Sequence, residues 1–355
     1  MNKKVLLAMS GGVDSSVAAA YLVEAGYEVT GVFMCLGTAR ADAEGGCCSP
    51  QDAADARVVA QKLGIDLHVL NLAEHFSPII DYFVAEYQAG RTPNPCVHCN
   101  TKLKFGKLVD LADTLGIDYV ATGHYARIGD YQGKPALRRG ADFKKDQSYA
   151  LFGIASKNIN RIMLPIGERI DKAAVRDKAL EVGLDVHNKP DSQEICFVED
   201  DDYVNLLRHR APRALKHGRI INMQGEQLGE HEGYGQFTIG QRRGLQVAAG
   251  VPMYVTKIDA ETGDVTIGTR EEACSKILYA SGLNWHHKPT ETKFDATVQI
   301  RYNHRGAPAT VTLLDEDNFK VEFAEPIHAI TPGQAAVIYD GEFMIGGGWI
   351  ESSEQ

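Results

Sequence analysis

A chain of 355 residues, 44% of them hydrophobic, is long enough for two or three domains that each bury a core of their own. Its net charge of -10 excludes a protein that coats nucleic acid by bulk attraction, although basic patches survive the average: Arg208, Arg210, Arg213, Lys216 and Arg219 form a run with no acid among them, and Lys102, Lys104 and Lys107 follow Cys99. Met1 to Met9 carry two lysines and few apolar residues, which suits neither a signal peptide nor a membrane span, so a cytoplasmic enzyme without a membrane partner is expected.

The chain opens with short apolar strands alternating with amphipathic helices. A strand at Val5 to Met9 leads to a helix at Ser15 to Glu24 closed by Gly26, then to a strand at Glu28 to Phe33, which makes a βαβ unit. A helix at Ala53 to Leu63 capped by Gly64, a strand at Leu67 to Asn71, helices at Pro78 to Tyr87 and Phe105 to Leu115, and a strand at Tyr119 to Thr122 extend the pattern. Such alternation predicts an α/β fold, a doubly wound parallel sheet with its ligand crevice at the carboxyl ends of the strands. After about residue 205 glycines multiply and helical periodicity fades, with a hairpin over Tyr254 to Thr269 turning at Glu261 to Asp264. Alternating stretches at Ala296 to Arg301, Ala309 to Leu314, Phe319 to Phe323 and Ala335 to Tyr339 then predict a small β-barrel or sandwich. Three domains follow from this texture: 1–205 for catalysis, 206–272 as a central β-rich module, and 273–355 as the terminal barrel.

Between the first strand and the first helix lies Ser10-Gly11-Gly12-Val13-Asp14-Ser15-Ser16. Backbone N–H groups and the positive end of the helix dipole converge on an anion at that point. Two glycines allow close approach, the serines add donors, and Asp14 can hold a magnesium ion that neutralises pyrophosphate. The loop lacks the lysine of a Walker A motif and the spacing of a dinucleotide fingerprint. It resembles the SGGxDS signature of the PP-loop ATP pyrophosphatases, which split ATP into AMP and pyrophosphate while adenylating an oxygen, and this resemblance implies ATP and Mg2+ as the cofactors.

Seven cysteines, an odd number, fit reduced thiols better than a disulfide framework. In Asn94-Pro95-Cys96-Val97-His98-Cys99-Asn100 a proline-stiffened loop runs into a helix, which places Cys99 near a helix N-terminus with lysines behind it, two features that favour the thiolate. Cys196, in Ser192-Gln193-Glu194-Ile195-Cys196-Phe197, is the second candidate thiol. Cys35 and Cys274 read as small buried hydrophobes, and Cys47-Cys48 as a weak signal. Cys96 and Cys99 form a C-x-x-C pair, so that with Cys196 they could also give three ligands to an iron–sulfur cluster.

Taken in order, SGGVDSS, NPCVHCN, ATGHYAR, KKDQSY, SQEICF and RYNHRG resemble the bacterial tRNA 2-thiouridylase family over nearly the whole chain. The resemblance implies that Cys196 carries a persulfide received from a sulfur-donor protein or relay, that Cys99 is its partner nucleophile, and that the wobble uridine of tRNA becomes 2-thiouridine. It further implies ATP contacts at Ala8, Met9, Ser10, Gly11, Gly12, Val13, Asp14, Ser15, Met34 and Gly123. The target base would lie against Asn94, Pro95 and Cys96, and tRNA would touch His124, Lys145, Asp146, Gln147, Arg301, Tyr302 and Gln334. Many relatives carry aspartate where this chain has Cys96, so a carboxylate at that place is not available here. The β domains are expected to grip the tRNA stem through the 208–219 patch, Arg301, His304 and Arg305.

Overall fold

In a computed structural model the described residues are 3–37, 49–169, 171–189, 195–198 and 202–354. Cys47, Cys48 and the Asp191-to-Glu194 stretch ahead of Cys196 lie outside them. The chain divides into two compact units, Met1–Ile79 with Cys96–Asp201 and Glu342–Ile345, and Ile80–Pro95 with Asp202–Gly341 and Gly346–Gln355.

The first unit begins with β1 (Lys4–Ala8), α1 (Val13–Glu24), β2 (Glu28–Cys35), α2 (Pro50–Leu63), β3 (Asp66–Asn71) and the start of α3 (Ala73–Gln88). After α4 (Pro95–Cys99) the helix widens into a π-helix over Asn100–Lys107 and resumes as α5 (Leu108–Leu115). Then come β4 (Tyr119–Ala121), the hairpin of β5 (Ala126–Tyr131) and β6 (Lys134–Arg139), β7 (Ile162–Met163) and α6 (Lys172–Glu181). The strands β3-β2-β1-β4-β7 form one sheet in which β2 and β3, β1 and β2, β1 and β4, and β4 and β7 all pair in parallel. Val5, Leu6 and Leu7 are fully buried, which is why β1 reads as an unbroken apolar run: it is covered on both faces, at a gain of about 1.5–3 kcal/mol per side chain. Four alanines and valines of α1 (Val17, Ala18, Ala19, Ala20) are buried, and their small volume brings the helix close to the sheet. The strand order reverses between β1 and β4, so the crevice of a doubly wound sheet falls at their carboxyl ends.

Local chemistry sets the helix ends. Ser49 caps α2 by accepting from the Asp52 N–H at 3.0 Å, Pro50 follows it, and Gly64 closes the helix in the left-handed region at φ 66°. All four predicted helices start earlier than their periodicity suggested, two of them by five residues or more. Pro78 sits inside α3 rather than at its start, and the helix expected from Phe105 is the end of a longer run whose π-helical part the apolar spacing could not reveal.

In the second unit α7 (Tyr203–Arg210) and a 3-10 turn (Pro212–Leu215) carry helical structure ten residues past the point where its periodicity faded, burying Leu207, Ala211 and Ala214. A four-stranded sheet follows, in the order β10-β11-β8-β9, made from β8 (Gly218–Ile221), β9 (Gln227–His231), β10 (Tyr254–Ile258) and β11 (Val265–Gly268). Its predicted hairpin is present, with Ile258 opposite Val265 and Gly263 at φ 82° in the turn. The last six strands are β12 (Cys274–Trp285), β13 (Lys293–Gln299), β14 (Ala307–Leu313), β15 (Phe319–His328), β16 (Ala335–Asp340) and β17 (Phe343–Glu354). They run β12-β15-β14-β13-β16-β17 and close, because β12 also pairs with β17. Val311, Phe319, Val321 and Phe323 are buried in this antiparallel barrel, whose closure leaves no strand edge unpaired, and β16 is buried on both faces.

Candidate active site

The phosphate loop is drawn tight by its own serines. Ser15 and Ser16 donate from Oγ to the Gly12 carbonyl at 3.2 and 2.8 Å, and the Ser10 N–H donates to Ser15 Oγ at 3.2 Å. Gly11 stands at φ 74°, and a Cβ there would lie 2.3 Å from the Asp52 carbonyl oxygen. Only glycine fits. From the other side Lys189 Nζ donates to the Gly11 carbonyl at 3.2 Å and to Asp52 and Asp55 at 2.6 Å each, so one ammonium fastens the loop to the first turns of α2. Gly123, just past β4, closes on the N-terminus of α1: a Cβ would lie 2.7 Å from Asp14 C and Ser15 N.

Asp14 faces positive charge. Its carboxylate accepts from the Tyr125 hydroxyl at 2.7 Å, and Lys172 Nζ sits 2.7 Å from both oxygens. A carboxylate held at the helix start, 31% exposed and already matched by one cation, fits magnesium-bound pyrophosphate, since a metal ion can take the place of the ammonium while the ammonium turns to phosphate. Ala8 and Met9 are buried, and Met34 is half-buried near the end of β2.

Cys99 departs from expectation in an informative way. It is the last residue of α4, one turn inside the helix and buried, while the exposed Cys96 occupies the first turn. The π-helix begins at the next residue. There Asn100 Nδ2 donates to the Ala150 carbonyl at 3.0 Å, but Asn100 Oδ1 and Thr101 Oγ1 are buried with no hydrogen-bond partner among the described residues. Unmet acceptors of this kind cost about 1–3 kcal/mol each, and π-helical turns concentrate at functional sites. Asn158 braces the π-helix by donating to the Phe105 carbonyl at 3.2 Å, and the Phe105 ring lies 6.1 Å from that of His124. Contacts therefore run from the phosphate loop through Gly123, His124 and Phe105 to the helix that bears Cys99. Cys196 is half-buried in a short turn, and its neighbour Phe197 packs edge-on against the buried Phe76 of α3 at 5.6 Å.

Both histidines beside this helix are held neutral. Burial, then the Lys104 charge, pushes His124 well below its ordinary value, and its Nδ1 shares a 2.7 Å hydrogen bond with Thr122 Oγ1. Burial, then Lys102, lowers His98 from 6.5 to about 4. The unfolded chain takes up that proton near 6.5 and the folded chain only near 4, so the stability from a neutral His98 is complete above the higher value and lost as pH falls towards the lower. A His98→Asn variant is expected to lose less stability than the parent between about pH 7 and pH 5, measured by urea unfolding; parallel curves would contradict the assignment.

The remaining residues divide by what they touch. Asp146 is turned inward, its side chain 5% exposed, accepting from the Gly140 and Ser148 N–H groups, from Ser148 Oγ and from Arg139. Gln147 accepts the Tyr125 N–H at 2.9 Å. Removing one partner of a buried ion pair leaves the other uncompensated, so Asp146→Ala is expected to cost about 3–5 kcal/mol in the urea unfolding free energy, and a loss under 1 kcal/mol would contradict it. Gln334 Nε2 donates to the carbonyls of Thr92 and Pro93 at 3.1 and 3.0 Å, and Asn94 donates its N–H to the Tyr82 hydroxyl, which together fix the proline loop ahead of α4. Arg301 spends its guanidinium on the carbonyls of His328 and Ala329, and Tyr302 is 46% exposed. Cys35 and Cys274 are half-buried rather than core residues, because they stand at strand ends, and the Cys274 thiol donates to the Arg270 carbonyl. Among the described residues no three His, Cys, Asp or Glu side chains gather to hold a metal ion, and no helix is long and apolar enough to cross a membrane. Lys172 and Lys189 escaped the sequence reading because no local motif marks them, and Tyr125, although it lies in ATGHYAR, was given no role there; only folding brings the three to the loop.

Comparison with known proteins agrees with this architecture. A family model described as the tRNA methyl transferase HUP domain matches residues 3–200, one described as the tRNA methyl transferase PRC-barrel domain matches 205–269, and one described as the aminomethyltransferase beta-barrel domain matches 275–350. The tRNA-specific 2-thiouridylase MnmA of Carboxydothermus hydrogenoformans is 49% identical over 98% of this chain and 98% of its own. Its counterpart in Clostridioides difficile is 44% identical over 99% of each chain, and that of Rhodopirellula baltica 45% identical over 98% of this chain and 96% of its own. These matches extend over the phosphate loop, both cysteines and the terminal barrel, and the chain belongs to the tRNA-specific 2-thiouridylase family.

Proposed function

We propose that this protein is a tRNA sulfurtransferase that uses ATP to replace the 2-oxygen of the wobble uridine with sulfur, working in the cytoplasm. The observation that carries the reading is the unbroken line of contacts, within one unit, from the glycine-walled phosphate loop to the helix of Cys99. Residues 1–205 do the chemistry in this reading, while the 206–272 and 273–355 domains hold the RNA.

ATP lies with its phosphates against the backbone of Ser10 to Val13 and its charge balanced by Lys172. Magnesium, when bound, would be held by Asp14 and would lower the charge on the pyrophosphate leaving group. A wobble base is already unpaired, so swinging it into the crevice costs little stacking energy. Its 2-oxygen attacks the α-phosphorus, pyrophosphate departs, and the adenylated base carries a good leaving group in place of a poor one. The terminal sulfur of a Cys196 persulfide adds to carbon 2. Cys99 then attacks the Cys196 sulfur, so the sulfur–sulfur bond breaks, AMP leaves and a Cys99–Cys196 disulfide remains for an external dithiol to reduce. Burial of Cys99 suits this step, since a thiol shielded from water meets the persulfide before it meets an oxidant. Neutral His124 serves as a hydrogen-bonding contact to the RNA rather than as an acid.

The test is direct. Purified protein is incubated with unmodified tRNA, magnesium-ATP and a persulfide donor, and the RNA is digested for mass analysis. A 2-thiouridine peak that requires all three additions is expected; AMP release at full rate without RNA would instead mark an enzyme acting on another oxygen.

A further inference from the structure

The basic run of residues 208–219 and Arg301 are the evident candidates for an RNA grip, yet two of the run's five cations, and Arg301, serve the fold. Arg210 pairs with Asp81 at 2.7 Å, Arg219 forms a two-pronged pair with Asp264 at 2.9 and 2.7 Å, and Arg301 is bound to backbone carbonyls. Arg242 and Arg243 differ. Both are exposed, and neither guanidinium bonds to a described residue.

They sit on a turn built to be rigid. Gln241 donates its N–H to the Thr238 carbonyl, accepts the Thr238 N–H on Oε1 at 3.0 Å and donates from Nε2 to the Arg243 carbonyl at 3.0 Å. The turn is laced to β10 by Gly240 N–H to Val255 O at 2.8 Å and Val255 N–H to Gln241 O at 3.0 Å, and Leu245 is buried behind it. Gly240, at φ 84°, lies so near the end of β15 that a Cβ would stand 2.4 Å from that of Ala329. At that strand end Arg301 grips the His328 and Ala329 carbonyls, and burial followed by the charges of Arg270 and Arg301 holds the His328 imidazole below its ordinary value. The base of the turn thus lies in a positive field while its tip presents two more cations.

We propose that the Arg242–Arg243 turn is a phosphate clamp for the RNA backbone, an assignment that rests on the tRNA reading above. Adjacent guanidinium groups on a fixed backbone match neighbouring phosphates at small entropic cost, and contacts of this kind position the nucleic acid without reading its sequence.

The test measures tRNA affinity by filter binding from about 50 to 200 mM salt for the parent protein, the Arg242→Ala/Arg243→Ala double variant and the Arg242→Lys/Arg243→Lys variant. Each phosphate contact contributes roughly 0.7–0.9 to the slope of log affinity against log salt, so the alanine variant should be flatter by about 1.5. Its deficit against the parent should then be about eightfold greater at the low-salt end than at the high-salt end, and the lysine variant should recover most of the slope. A parent-like slope in the alanine variant, or a deficit equal at all salt concentrations, would overturn the clamp. A parent protein that binds tRNA without salt dependence would overturn the tRNA reading itself.

Discussion

Replacing Cys196 with serine is expected to lower 2-thiouridine formation at least about a thousandfold, because a hydroxyl cannot carry the persulfide and is a far weaker nucleophile at neutral pH. Cys99→Ser should fail to a similar degree at a later step. Sulfur would reach Cys196 and the base would be adenylated, but nothing would cleave the sulfur–sulfur bond. Groups that act as a unit lose their effect together, so the double variant should be no worse than the weaker single one. Single-turnover assays with mass detection of the digested RNA separate these cases. A Cys196→Ser protein within tenfold of the parent would remove the persulfide role, and a Cys99→Ser protein equally active would remove the resolving role.

The second large effect belongs to Gly11. Alanine there must adopt φ 74°, at a strain of about 1–2 kcal/mol, and place its methyl 2.3 Å from a backbone oxygen. That oxygen cannot yield cheaply, since it belongs to the Asp52 that Lys189 pins to the Gly11 carbonyl and to Asp55. The loop must open instead, and its N–H groups lose their aim at phosphate. Gly11→Ala is expected to weaken ATP binding by about 100-fold, about 2.7 kcal/mol, in titration calorimetry. Binding within threefold of the parent would show that the loop does not hold the phosphates. Gly123→Ala should act in the same direction through its contact with Asp14 and Ser15.

The frame of this site was legible before folding because its signals are local. Strand, glycine pair and helix follow one another within twenty residues, and the apolar run of β1 announces a strand covered on both faces. Capping residues such as Ser49 and Gly64 mark helix ends by the same short-range chemistry, although Ser49 itself was passed over in favour of a later start. What stayed hidden is long-range. Lys172 is separated from Asp14 by 158 positions and Lys189 from Gly11 by 178, so no spacing rule could join them. The π-helix was invisible for another reason: an i→i+5 turn keeps apolar residues near helical spacing while shifting which side chains face inward. Asp146 shows a third kind of miss. Its short polar motif, Lys-Lys-Asp-Gln-Ser, carries no sign of the four donors that turn the aspartate inward, nor of the bonds that Gln147 and Ser148 make within the fold.

The most direct test of the whole account follows one labelled atom. Protein charged with a single 35S-persulfide, mixed with unmodified tRNA and magnesium-ATP and stopped within one turnover, should transfer close to one 35S per protein to uridine, with one AMP and one pyrophosphate released and a Cys99–Cys196 disulfide found by peptide mass analysis. Label that stays on the protein while AMP accumulates would contradict the coupling of nucleotide activation to sulfur delivery from Cys196.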